Sequence, residues 1–122
     1  MTETTEAVEA LRTAVAAAQD ERDEAVHRAL AARAFADGQI VNVPGGLIDH
    51  VIVTLADSSP MHELEEAFGP ARALPRRPAP SAPRQVFFEA TLPSEGSTGA
   101  TLLAEVGQDG RVGRLTVRRD EL

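Results

Sequence analysis

A change of period at Gly38 constrains this chain more than any other feature. Residues 5–36 repeat their apolar side chains at three- and four-residue steps, whereas most of the chain beyond Gly38 alternates in twos. Val8, Leu11, Val15, Ala18, then Ala25 or Val26, and Ala29 or Leu30 make one stripe of an alanine-rich helix. Thr4 or Thr5 is placed to cap its start, with Glu6 and Glu9 near its positive end. Phe35 ends the stripe, and Asp37-Gly38 supplies a stop in which glycine takes the left-handed position past the last turn.

A continuous helix over 5–36 would be about 48 Å long, more than the width of a sheet built from the remaining chain. Arg22 interrupts its stripe within the charged block Asp20-Glu21-Arg22-Asp23-Glu24. Either the helix breaks at this waist, or part of it projects and packs on another protein or a second copy. Val8, Leu11 and Val15 are therefore candidate partner-binding residues. Alanine at many seam positions argues against a leucine-type coiled coil.

Beyond Gly38, two β-rich runs spanning 39–56 flank Pro44-Gly45-Gly46, which is hairpin chemistry. The second run, from Leu47 to Ala56, is apolar on both faces, as befits a strand covered on both sides or central in a sheet. A short helix follows over 59–68. Ser58 or Ser59 caps it, Pro60 sits in its first turn, Met61, Leu64, Ala67 and Phe68 form its apolar face, and Gly69-Pro70 stops it. Strands then fill 85–118, where Asp109-Gly110 between two alternating runs is a strong hairpin signal.

The fold class expected is α+β in one domain of 122 residues. It has a long N-terminal helix, an antiparallel sheet of about five strands, and a short helix between the second and third strands.

Residues 70–84 stand apart. They hold five prolines and four arginines with no acid, which predicts an extended loop. Arg72, Arg76, Arg77 and Arg84 concentrate positive charge in a chain of net charge -7, and they are candidate partner-binding residues. That net charge argues against nucleic acid and anionic membrane as partners, since both need a cationic footprint. The absence of cysteine excludes disulfides, thiol catalysis and thiolate metal sites. No run approaches the roughly 18 apolar residues of a membrane span, so a soluble cytoplasmic protein is expected.

No nucleophile–base pair, His-Glu-x-x-His motif or phosphate-cradling loop is present, and neither a catalytic residue nor a cofactor is expected. His62 and Glu66 lie four apart on the short helix, a spacing that a solvated pair also has. The expectation is a non-enzymatic interaction protein, such as an adaptor, an accessory subunit or an immunity-type inhibitor. Its partner would be another protein or a second copy of itself.

One local resemblance implies an alternative. Asp49-His50-Val51 through Asp57, followed by the helix ending in Phe68-Gly69, resembles the opening of a vicinal-oxygen-chelate module, the glyoxalase and bleomycin-resistance group. The likeness covers about twenty residues, and the order strand, helix, three strands would make half a barrel. It implies a metal-dependent enzyme or ligand-sequestering protein acting as a dimer, with His50 as a metal ligand and Glu105 as its partner. The chain departs from that pattern in the helix and hairpin that precede the motif, and in the proline-rich segment where the second strand belongs.

Overall fold

The structure, a computed structural model, describes residues 3–18, 24–42, 48–73, 84–88, 100–107 and 109–119. Helices α1 (Glu3–Ala17) and α2 (Glu24–Leu30) lead into β1 (Phe35–Asn42) and β2 (Ile48–Pro60). Helix α3 (Met61–Phe68) follows, then β3 (Ala71–Ala73), β4 (Arg84–Phe88), β5 (Ala100–Val106) and β6 (Arg111–Arg119). The strands form a six-stranded sheet in the order β1-β2-β6-β5-β4-β3, and every neighbouring pair is antiparallel. The α+β class holds, with the short helix between the second and third strands.

The single helix expected over 5–36 is two helices that pack on each other. The physical reason is length. Six strands at about 4.8 Å spacing span roughly 29 Å, too little to support a helix of that extent. Folding back lets both apolar halves reach one core, so Val8, Leu11, Val15 and Val26 are all fully buried. The charged block where the break falls lies largely outside the described residues.

The helix stop also differs from expectation. The second helix ends at Leu30, and Phe35 begins β1 rather than closing a helix. Gly38 does not have a positive φ; among the described residues only Gly69 and Gly110 do. Its smallness serves packing instead, because a Cβ there would stand 2.8 Å from Leu30 Cδ2.

Helix α1 lies against β2, β5 and β6. It is held by more than its apolar stripe. Arg12, only 8% exposed, donates from Nε to the carbonyl of Ala100 at 3.1 Å, tying mid-helix to the start of β5. Its Nη1 meets Glu9 Oε2 at 2.9 Å. Arg119, at the end of β6, donates from Nη1 to the Ala18 carbonyl and so satisfies an orphan acceptor past the last turn of α1. Opposite the helices, Val51, Val53, Leu55, Leu102, Ala104, Leu115 and Val117 complete the core.

Helix α3 follows its sequence signals with one change. Pro60 occupies the cap position without a side-chain cap bond, and the Ser59 hydroxyl instead donates to Glu63 Oε2 at 3.0 Å. Gly69, at φ 89°, ends the helix with its N–H on the Glu65 carbonyl. Phe68 then meets Phe88 edge-on, with ring centroids 6.0 Å apart. The sixth strand, unexpected from sequence, is β3, where the Pro/Arg-rich segment begins. Ala71 and Arg72 pair with Phe88 and Phe87 of β4, while residues 74–83 lie outside the described residues.

No helix among the described residues is long and apolar enough to cross a membrane.

Candidate functional site on the open face of the sheet

The helices cover one face of the sheet, and no described element covers the other. Strand register fixes what that open face carries, because every second residue points to it. One cross-strand row reads Gln39, Ile52, Thr116, Leu103, Phe87 and Arg72, from β1 to β3. A neighbouring row holds Val41, His50, Arg118 and Thr101. The row on the other side holds Asp37, Thr54, Arg114, Glu105 and Gln85.

Val41, Ile52, Leu103 and Phe87 thus form an apolar band across the sheet. All four are half-buried, yet none packs against the core. Charges flank the band on both sides. Arg114, Arg118 and Glu105 make no ion pair among the described residues, although Glu105 and Arg114 are direct cross-strand neighbours.

A hollow of about 320 Å³ lies in this face, lined by Asp49, His50, Gln85, Leu103, Ala104, Glu105, Thr116 and Arg118. His50 Nδ1 is 2.6 Å from Asp49 Oδ2. The carboxylate accepts, so Nδ1 carries the proton, as in a base oriented by a third group. Thr116 supplies the hydroxyl of this hollow, and no hydrogen bond between it and His50 occurs among the described residues.

His50 and Glu105, the ligand pair implied by the chelate resemblance, share this hollow but do not meet. Strand β6 separates them and their register differs by four residues, which sets their Cα atoms roughly 16 Å apart. Ligands of one metal ion must each come within about 2 Å of it. No group of three or more His, Asp or Glu able to hold a metal ion occurs among the described residues. In place of the strand, helix, three strands of that module, β2 and α3 are followed by four strands.

The other candidates named from sequence are dispersed. Val8, Leu11 and Val15, expected to face a partner, are wholly buried in the chain's own core, because α1 turns that stripe onto the sheet. Arg72 is exposed at the β3 edge of the open face. Arg84 opens β4 and is described by its backbone pairing with Val106, whereas Arg76 and Arg77 lie outside the described residues. Sequence reasoning missed Ile52, Leu103 and Phe87. The signal was available: β2, β4 and β5 each carry apolar residues on both phases of their alternation.

Two further hollows are present. One of about 410 Å³ adjoins the open face at its Thr54, Arg114 and Glu105 row and is closed by Ser58, Asp109 and Arg111; there Arg111 Nε donates to Ser58 Oγ at 2.7 Å. A groove of about 800 Å³ runs between α1 and α2, walled mostly by alanines, with Glu6, Glu9 and Arg28 also lining it. Methyl groups give that groove area but no anchor, whereas the open face offers an aromatic and branched side chains beside charges.

No family model and no curated protein matches this chain. Its fold is similar to that of a solved DUF4309 family protein, YjgB, from Bacillus subtilis subsp. subtilis str. 168, at a TM-score of 0.56 and 11% identity, covering 96% of this chain and 98% of that one.

Proposed function

We propose that this chain is a non-enzymatic interaction protein of the cytoplasm, an adaptor, accessory subunit or immunity-type inhibitor. It holds a protein partner on the open face of its sheet. The observation that carries this reading is the band of Val41, Ile52, Leu103 and Phe87, half-buried and detached from the core. Antiparallel sheets commonly turn a polar face to water. A branched and aromatic band with flanking charges has instead the composition of an interface core with its rim.

Covering such side chains releases about 25 cal/mol for each Å² of apolar surface removed from water. Glu105, Arg114 and Arg118 add direction, since a docked partner can satisfy them in only a few orientations. Arg72 extends the same surface to the β3 edge.

The test is a paired substitution. Ile52→Glu with Leu103→Glu should reduce the protein associated at native expression level by about tenfold or more, while circular dichroism shows the fold retained. Charge reversal at Glu6 and Arg28, beside the helical groove, should leave association unchanged. The opposite pattern, with loss at the groove and none at the open face, defeats the proposal.

A further inference from the structure

Resting on that reading, we infer that the occupant of the open face is a second copy of this chain. The two copies would pack face to face about a two-fold axis parallel to the strands, between β5 and β6.

Charge points to a like partner. The chain carries net charge -7, so most approaches of one copy to another are repulsive. The open face is the exception. Among the described residues, Asp37, Asp49 and Glu105 there are balanced by Arg72, Arg114 and Arg118. A strongly basic partner would find a better match elsewhere on the surface. Two copies meeting through their neutral faces keep their excess negative charge apart.

Register then selects the axis. The sheet order is β1-β2-β6-β5-β4-β3, so its midline runs between β6 and β5. A two-fold along that line sets β6 over β5 of the second copy, β2 over its β4, and β1 over its β3. In the apolar row, Ile52 meets Phe87 of the second copy and Thr116 meets its Leu103. Gln39 meets its Arg72. In the flanking row Arg114 meets Glu105 of the second copy, and Thr54 meets its Gln85. Each contact occurs twice.

In those two rows no like charges meet, and Thr116 against Leu103 is a fit of size. Alternatives set like charges together. An axis running across the strands sets Arg118 against Arg114 of the second copy, and one centred on β6 sets Arg114 and Arg118 each against its own counterpart.

Relief fits as well. Thr116 is the smallest member of the band between Ile52 and Leu103, and it lines the 320 Å³ hollow. The chosen axis drops Leu103 of each copy into that hollow on the other. Face-to-face sheets keep their strands within about 30° of each other, and a two-fold parallel to the strands provides that alignment. Five strands by three rows give roughly 25 Å by 20 Å of contact, at the low end of specific interfaces, so the dimer is reversible.

Sedimentation equilibrium of the full chain over a concentration series tests this. Wild type should pass from monomer to dimer. Glu105→Arg alone and Arg114→Glu alone should each weaken the dimer about tenfold or more. The double exchange Glu105→Arg with Arg114→Glu should restore it to within about threefold, because the two swapped charges again face their opposites across the axis. Since the chain has no cysteine, a mixture of Ile52→Cys and Phe87→Cys proteins should oxidise chiefly to the mixed dimer.

A wild type that stays monomeric throughout, a double exchange that fails to rescue, or Cys pairs that link only like to like overturns the two-fold inference. If the monomeric outcome is joined by loss of a foreign partner in the Ile52→Glu, Leu103→Glu protein, the interaction reading survives without the second copy. If that protein also keeps its partner, both fall.

Discussion

The two faces of this sheet are made by the same strands, yet they have opposite fates. Along β2, Val51, Val53 and Leu55 are no more than 5% exposed, while Ile52 between them stays half-covered. Along β5, Leu102 and Ala104 are buried and Leu103 is not. The covered face owes its state to α1, which supplies Val8, Leu11 and Val15 as a second layer. No described element supplies such a layer to the open face. Apolar residues on the covered face therefore stabilise the fold, whereas those on the open face keep part of their surface within reach of water. The groove between α1 and α2 sharpens the contrast: it is the larger hollow, but alanines line most of it.

The largest effect should come from removing part of that second layer. Leu11 is fully buried, and Leu11→Ala leaves a cavity where α1 meets the sheet. The expected cost is about 2–5 kcal/mol, read as a fall of roughly 8–20 °C in thermal midpoint by circular dichroism. A cost no greater than that of an equal truncation at Leu103 would erase the difference between the faces.

A smaller loss should follow at Arg12. The variant Arg12→Met keeps the apolar stem but removes the donor to the Ala100 carbonyl and the pair with Glu9. Leaving a buried acceptor unsatisfied costs about 1–3 kcal/mol, measurable by urea denaturation. Because the contact lies on the covered face, self-association should be unchanged. A variant that melts normally but sediments differently would mean that α1 contributes to docking after all.

Much of this arrangement was legible in the sequence, where local signals agreed with one another. The Val8, Leu11, Val15 stripe, the α3 helix ended by Gly69, and the Asp109-Gly110 turn with its glycine at φ 78° are each written in a few adjacent residues. The break of the first helix was visible as a charged block and as a length beyond the width expected of the sheet. Whether such a block breaks a helix depends on the width of the surface beneath it, which is a tertiary quantity. Gly38 read as a helix stop because glycine after aspartate usually is one, but the deciding contact is Leu30, packed on it from α2. The three residues of β3 carry no strand propensity of their own and pair because β4 presents an edge. That the open-face residues join into one band was not legible, for a related reason. Ile52 and Leu103 were plain to see, but they share a surface only because β6 lies between β2 and β5. The β2–β6 pairing joins residues more than fifty positions apart, and no local pattern encodes it.

The smallest effect on stability is also the sharpest test of the comparison. Ile52→Thr keeps a β-branched side chain in mid-strand, so strand preference is retained. Its hydroxyl faces the open side, where Thr54 and Thr116 already sit half-buried, so no polar atom is forced into the core. The expected loss is under about 1 kcal/mol, a few degrees at most in thermal midpoint. Association should respond out of proportion, because the position that meets Phe87 of a second copy becomes polar in both copies at once. The measurement is thermal midpoint and solution mass on the same preparation. If the midpoint falls as far as in Leu11→Ala, Ile52 belongs to the core and the two faces are energetically alike. If midpoint and mass both stay unchanged, the band is only a half-covered strand surface.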